Sequence, residues 1–179
     1  HAFEDRVYVT CCARISPEKD VMRFVEILEH VAPFLKERGL VPFLVGPPTD
    51  PVYARRVYQR LKRAFPGDAS VVVSDFVPPE KLQAIFSRTI LNVHPVDREP
   101  FGMTIAEAAA FGAPSLVDWS GNVGACDVLP PRDGCAVGTD MSSPRLAAAT
   151  LRAALRKDGL AFLEMVGRRA RDRVLERLS

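Results

Sequence analysis

Two basic residues follow the first β-rich segment of the chain, spaced so that both can bind one anion. Arg14 and Lys19 lie five positions apart in the sequence ARISPEK, between a predicted strand end and a predicted helix start. A guanidinium can form two parallel hydrogen bonds to phosphate oxygens, and a lysine ammonium adds a compact positive charge. The pair indicates a phosphate or diphosphate site, although solvated side chains at a strand end give the same pattern.

A second group of residues lies in the sequence EPFGMTIAE, which spans Glu99 to Glu107. Gly102 has no side chain, so a ligand can approach the main chain closely there. The helix predicted after it carries free N–H groups and partial positive charge at its first turn, which favour a phosphate. Glu107 lies among alanines, where an unpaired carboxylate is costly, and a ribose diol is one suitable donor for it. The alternative is a surface glutamate on an alanine-rich helix.

Short β-rich segments alternate with amphipathic stretches along the chain, which is typical of βα units around a parallel sheet. The predicted fold is α/β, a Rossmann-like doubly wound parallel sheet of about six strands with helices on both faces, formed by residues 1–179 as one domain. Ligands of such sheets bind at the carboxyl ends of the strands, where both groups of candidate residues fall. The predicted strands are residues 7–13, 41–45, 70–73, 90–93, 114–117 and 136–137.

The predicted helices have recognisable start and stop signals. Ser16 and Pro17 offer an N-cap and a first-turn proline for a first helix, which Pro33 should interrupt and Gly39 should end. The other predicted helices are residues 51–65, 79–86, 101–111, 143–157 and 160–178.

The order of these motifs resembles a known family. The segment from Glu99 to Pro114, EPFGMTIAEAAAFGAP, resembles the E-x7-E signature of retaining glycosyltransferases of family 4, whose usual form is close to EPFGLxxLEAMAxGxP. Arg14 and Lys19 resemble the R-x4-K of that family's GRLxPEKG. The turn LVGPP after the second strand and DFVPPEKLQAIF near Asp75 agree as well, so the resemblance covers nearly all of the chain.

The resemblance implies a GT-B architecture, in which two Rossmann-like domains face each other across a cleft. This chain would be the donor-binding half, with the N-terminal acceptor domain absent. The implied activity is transfer of a hexosyl group from a nucleoside diphosphate sugar to an unknown acceptor with retention of configuration. The family needs no essential divalent metal, and the sequence contains no DxD cluster, so we expect no metal and no cofactor beyond the donor substrate.

The resemblance also implies a role for each matching residue. Arg14 and Lys19 would hold the donor diphosphate, and Glu99 would accept hydrogen bonds from hydroxyls of the donor sugar; these three are the predicted catalytic residues. Glu107 would bind the ribose hydroxyls. The remaining residues predicted to bind the donor, through main chain or loop position, are Phe101, Gly102, Met103, Thr104, Gly46 and Val77.

Some residues depart from the family pattern or allow two interpretations. The loop after the fifth predicted strand, WSGNVGACD at residues 119–127, replaces a GG-x-PE-like turn, with Asp127 where the glutamate often lies. We interpret Trp119 as a packing residue. His94, at a strand end, is either a ligand contact or a structural or solvated histidine.

Composition and charge exclude other classes. A formal net charge of +2 is too small to indicate nucleic acid or a membrane surface, and no apolar run approaches the length of about 20 residues that spans a bilayer. The basic stretch RRARDRVLER at residues 168–177 is interpreted as a solvated helix face. Cys11 and Cys12 should point to opposite faces of a strand, and the four cysteines are expected to be reduced thiols.

The sequence begins at His1 rather than at Met, and we expect it to be a piece of a longer enzyme located in the cytoplasm or on the cytosolic face of a membrane. The isolated piece is expected to bind nucleotide but to transfer no sugar. Its terminal helices are expected to expose apolar surface and to allow homo-association. Two alternatives remain open: a UDP-sugar epimerase of GT-B architecture, and a non-catalytic module that binds nucleotide sugars or mediates assembly.

Overall fold

The computed structural model describes residues 2–178 and contains one six-stranded sheet in that range. His1 and Ser179 lie outside the described residues. All pairings between neighbouring strands are parallel, and the strand order is β3-β2-β1-β4-β5-β6. The strands are β1 (Tyr8–Cys12), β2 (Val41–Val45), β3 (Val71–Val73), β4 (Thr89–Val93), β5 (Ser115–Asp118) and β6 (Val137–Thr139).

Helices connect the strands and follow the last one, and the α/β prediction is confirmed. Residues 2–178 contain α1 (Val21–Glu29), α2 (Ala32–Glu37), α3 (Pro51–Ala64), α4 (Pro79–Phe86), α5 (Met103–Ala110), α6 (Pro144–Leu155) and α7 (Leu160–Leu178). The strand order reverses direction between β1 and β4, the two strands at the centre of the sheet. Loops that leave the carboxyl ends of two such strands diverge and open a crevice between them.

The start of the first helix differs from the prediction. Pro17–Lys19 forms a short 3-10 turn, Asp20 adopts a left-handed conformation with φ of 48°, and α1 begins only at Val21. Ser16 makes no capping hydrogen bond, and its buried hydroxyl oxygen has no partner among the described residues. The predicted N-cap at Ser16 is therefore wrong, because the chain first turns to place Lys19 at the sheet edge.

The core lies on both faces of the sheet. On one face, side chains of β1, β2 and β4 pack against α1, α3, α6 and part of α7. On the other, separate clusters join the sheet to α4, α5 and α7. Cys11 belongs to the first core and Cys12 packs with the second, as the alternation of strand side chains predicts, and all four cysteines are free.

The terminal helices expose less apolar surface than expected. The apolar side of α7 is buried at Leu163, Val166, Ala170 and Val174, and its basic residues lie mostly on the exposed side. Among the larger apolar side chains of α6 and α7 that the structure describes, Leu146, Phe162 and Leu175 are exposed. These scattered side chains give homo-association little support, and it stays a prediction.

Candidate functional site

A cavity of about 220 Å³ opens at the carboxyl ends of β1 and β4, where the strand order reverses. It brings together seven of the ten predicted site residues, from segments that are about 80 positions apart in sequence. Its lining residues are Cys12, Ala13, Arg14, Lys19, His94, Glu99, Phe101, Gly102, Met103 and Thr104.

Lys19 and Glu99 form an ion pair across the cavity. The Lys19 Nζ lies 2.5 Å from the Glu99 Oε2, and the two side chains are 23% and 11% exposed. Burial alone would raise the pKa of the Glu99 carboxyl. The hydrogen bond and the charge of Lys19 outweigh burial, a main-chain N–H of Phe101 adds to their effect, and the pKa falls below its usual value. Glu99 is therefore an anion at neutral pH, and its carboxylate accepts a hydrogen bond from Lys19.

The loop after β5 holds the main chain of Glu99 in place. The Glu99 N–H donates to the Asn122 carbonyl over 3.0 Å, and the Gly124 N–H donates to the Glu99 carbonyl over 2.8 Å. A Cβ added at Gly124 would lie 1.9 Å from the Pro100 carbonyl oxygen, so this contact requires glycine. The loop after β5, whose sequence departs from the family pattern, therefore holds the main chain of Glu99, the residue predicted to bind the donor sugar.

Gly102 begins α5 and directs its first turn at the cavity. Its φ of 76° is left-handed, a conformation that glycine adopts without steric cost. Met103 and Thr104 are the first two residues of α5, and the N–H groups of a helix's first turn have no acceptor within the helix. This helix end offers hydrogen-bond donors and partial positive charge to an anion in the cavity.

Arg14 is the cation in this cavity that the fold leaves uncommitted. It is exposed at the rim, and it forms no hydrogen bond or ion pair with any residue in the described range. Its guanidinium is free to bind an anion, whereas Lys19 is already shared with Glu99.

His94 lies at the floor of the cavity, and the sequence left its role open. It is 6% exposed, and its Nε2 has no hydrogen-bond partner among residues 2–178. Burial, reinforced by the charge of Lys19 and opposed by that of Glu99, lowers the pKa of His94 to about 4. His94 is therefore a neutral imidazole with one unsatisfied nitrogen beside the cavity.

Glu107 lies one turn further along α5, close enough to Cys12 to affect its pKa, but it does not line the cavity. Burial raises the pKa of the Glu107 carboxyl, and burial together with the Glu107 charge raises the pKa of Cys12 to about 12. No residue in the described part of the chain donates a hydrogen bond to the Glu107 carboxylate. It is a half-buried acceptor without a donor.

Gly46 and Val77, like Glu107, do not line the cavity. Gly46 is buried and has a φ of 151°. A Cβ at this position would lie 1.8 Å from the Ala13 carbonyl oxygen, so glycine is needed for the close contact between the loops after β1 and β2. The side chain of Val77 is buried in the core with Phe43 and Ile85. Only the main chain of the Val77 loop remains to contact a ligand, and a direct role for either residue stays a prediction.

Trp119 is not the packing residue that we inferred. Its side chain is 66% exposed, and it stands at the carboxyl end of β5. Phe76, Phe101 and Met103 are also more than half exposed on loops or helix starts at the same edge of the sheet. This edge concentrates exposed aromatic and apolar side chains around the cavity.

The described residues contain neither a metal-binding cluster nor a membrane-spanning helix. Residues 2–178 contain no cluster of three or more His, Cys, Asp or Glu side chains arranged to hold a metal ion. Within the same range, no helix has the length and apolar character needed to cross a membrane.

Comparison with known proteins identifies relatives of the chain. A family model described as glycosyl transferases group 1 matches residues 6–156. A comparison with curated protein sequences gives no significant match.

The fold is shared with solved glycosyltransferase structures. The C-terminal domain of a glycosyl transferase group 1 family protein from Francisella tularensis has a TM-score of 0.81 at 15% identity, covering 97% of this chain and 86% of that one. Sucrose-phosphate synthase from Thermosynechococcus elongatus has a TM-score of 0.77 at 22% identity, covering 97% of this chain and 41% of its own. Anabaena HepE in complex with UDP and glucose has a TM-score of 0.78 at 18% identity, covering 98% of this chain and 45% of its own. The chain thus spans less than half the length of the last two proteins.

Proposed function

We propose that this chain, which belongs to the glycosyl transferases group 1 family, is the part of a hexosyltransferase that binds the nucleoside diphosphate sugar donor. The observation that carries the proposal is the cavity between β1 and β4. It combines a free guanidinium, a lysine–glutamate pair and a helix N-terminus within one space. These groups match the parts of such a donor, which are a diphosphate and a hydroxylated ring.

The diphosphate binds between Arg14, Lys19 and the first turn of α5. Arg14 is uncommitted, so it can bind two phosphate oxygens without breaking a contact. Lys19 donates to Glu99 with one of its three N–H groups and has two left for a phosphate. When the glycosyl–phosphate bond breaks, negative charge grows on the leaving nucleoside diphosphate. Cations and N–H groups already in place stabilise that charge, which lowers the barrier to transfer.

The sugar ring binds against Glu99 and His94. Glu99 is an anion held by main-chain contacts, so it accepts hydrogen bonds from sugar hydroxyls in a fixed orientation. The neutral His94 imidazole has an Nε2 without a partner, which a sugar hydroxyl satisfies. Glu107 takes the ribose hydroxyls, which supply the donors that its carboxylate lacks.

Transfer breaks the bond between the anomeric carbon and the phosphate oxygen, forms a bond between that carbon and an acceptor oxygen, and passes the acceptor proton to the departing nucleoside diphosphate. The configuration at the anomeric carbon is retained, as the resemblance implies. The chain spans less than half of two similar glycosyltransferases. We therefore propose that an additional domain binds the acceptor and that this chain alone binds nucleotide without transferring sugar.

Calorimetric titration of the chain with UDP, GDP and ADP, and then with the matching nucleotide sugars, tests the proposal. UDP is the first nucleotide to test because the similar HepE structure contains UDP. We expect saturable binding that Arg14→Ala weakens by about 10- to 100-fold, since a charged hydrogen bond contributes about 1.5–3 kcal/mol. Arg145→Ala is the matched control, because Arg145 is an exposed arginine outside the cavity.

Glu107→Gln tests the ribose contact separately. It keeps the size of the side chain but removes one acceptor and adds a donor, so we expect weaker binding of nucleoside diphosphate and unchanged binding of inorganic pyrophosphate. Equal affinity of the wild type and the variant for the nucleotide would remove Glu107 from the site. No binding of any nucleotide would refute the proposed function.

A further inference from the structure

Trp119 is an exposed aromatic ring on a rigid support. Its N–H donates to the Thr139 carbonyl over 3.0 Å, which ties the residue to β6. The buried carboxylate of Asp118 accepts from the N–H groups of Ser120 and Met141, each over 2.9 Å, and so fixes the turn around it. The ring itself makes no hydrogen bond with the described residues and is directed outward. A large apolar surface held rigidly in solvent is costly and is typical of a binding contact.

Trp119 lines two grooves. One, of about 270 Å³, is polar and is bordered by Asp97, Arg98 and Asn122. The other, of about 510 Å³, is lined by Asp127, Pro131 and Arg132 as well as by Trp119. The side chains of Asp97, Arg98 and Asn122 form no hydrogen bond or ion pair with any residue of the described range. They are therefore available to a ligand that lies against the ring.

We propose that Trp119, Asp97, Arg98 and Asn122 form a binding subsite for a saccharide. A pyranose presents an apolar face of C–H groups that stacks on an aromatic ring, and its rim of hydroxyls needs both donors and acceptors. Asp97 supplies acceptors, Arg98 supplies donors and the Asn122 amide supplies both. The groove suits a hydroxylated neutral ligand, because sugar hydroxyls can donate to the unengaged Asp97 carboxylate and accept from the unengaged Arg98 guanidinium. It does not suit a nucleotide, since Asp118 and Asp140 add further carboxylates to the same groove and repel phosphate.

The subsite is connected to the donor cavity through Glu99. The turn that carries Trp119 continues to Asn122, whose carbonyl accepts the Glu99 N–H over 3.0 Å. Asp97 and Arg98 immediately precede Glu99 in the chain. On the proposed function, on which this step rests, a saccharide held by Trp119 lies next to the donor sugar. It is the part of the acceptor that contacts this chain, and the additional domain binds the rest of the acceptor. The acceptor class is then a glycan or glycoside.

Tryptophan fluorescence tests the subsite directly, because Trp119 is the single tryptophan of the sequence. The probes are methyl glycosides and trisaccharides of glucose, mannose, galactose and N-acetylglucosamine. We expect at least one probe to shift the emission saturably, with a trisaccharide binding more tightly than its monosaccharide because both grooves are then occupied. Asp97→Ala keeps the fluorophore and should weaken that binding by about tenfold, whereas Arg145→Ala, at an exposed position of α6, should not.

Calorimetry with the responding saccharide and Trp119 variants completes the test. Trp119→Ala should abolish saccharide binding and Trp119→Phe should preserve part of it, while both variants bind nucleoside diphosphate as the wild type does. The proposal is overturned if no saccharide binds, if Trp119→Ala binds saccharide normally, or if the ring responds only to a cationic probe such as tetramethylammonium. Saccharide binding without nucleotide binding would refute the proposed function and leave the subsite standing.

Discussion

His94 makes the stability of the chain depend on pH above the range where carboxylates titrate. Its pKa falls from 6.5 to about 4 on folding, chiefly because the ring is buried. The unfolded chain therefore binds a proton at His94 at a higher pH than the folded chain does. The stability that depends on neutral His94 is present above the unfolded pKa and is lost as the pH falls toward the folded pKa.

The size of the effect follows from the shift. One pKa unit corresponds to about 1.4 kcal/mol, so the whole shift is worth about 3 kcal/mol. Between about pH 7 and about pH 5 the unfolded His94 becomes largely protonated while the folded one does not, which costs about 2 kcal/mol of the free energy of unfolding. Because His94 is 6% exposed, solvent screening reduces this value little.

Urea unfolding at the two pH values measures the effect, with no ligand present. The wild type should lose about 2 kcal/mol more than His94→Gln, which does not titrate. His30→Gln is the matched control, because His30 is exposed, and it should behave like the wild type. An equal loss in the wild type and in His94→Gln would contradict the burial of a neutral imidazole at this site.

Two further predictions concern the contacts that shape the cavity. Lys19→Met should destabilise the fold by about 2 kcal/mol at neutral pH, because it leaves the Glu99 carboxylate without its partner. The double variant Lys19→Met, Glu99→Gln should recover part of this loss. No recovery in the double variant would count against the ion pair. Since Lys19 depresses the Glu99 pKa below 4.5, this cost should shrink as the pH falls below that value, as unfolding midpoints across acid pH would reveal. Gly46→Ala should lower the free energy of unfolding by more than about 3 kcal/mol, because the added Cβ would collide with the Ala13 carbonyl oxygen. Gly39→Ala is the comparison, because the space at Gly39 is open and a loss of about 1 kcal/mol is expected there. Thermal unfolding measures both variants.

Local sequence signals predicted the elements whose ends are set by glycine and proline. The bounds of β2 and α4 are those predicted, because Gly39, Gly46 and Pro79 limit these segments from within the sequence. The start of α1 was predicted wrongly. No local signal marked the left-handed turn at Asp20, a non-glycine residue, which allows Lys19 to reach a partner 80 positions away.

The sequence predicted which residues meet at the sheet edge but not how they pair. The βα pattern placed Arg14, Lys19 and Glu99 at carboxyl ends of strands, and a parallel sheet brings such ends together. It did not reveal that Lys19 is paired with Glu99 while Arg14 is free, since that choice depends on the exact turn after β1. Nor did it reveal the exposure of Trp119, because burial of a loop side chain is decided by which distant segments pack over it.

Chemical-shift mapping of the ¹⁵N-labelled chain with the nucleoside diphosphate that binds best tests the central claim most directly. Binding between β1 and β4 predicts saturable shifts of the amides of Arg14, Gly102, Met103 and Thr104, together with small or no shifts at the amino-terminal edge of the sheet. Shifts confined to other loops, or none at concentrations that saturate calorimetric binding, would contradict the assignment of this cavity as the donor site.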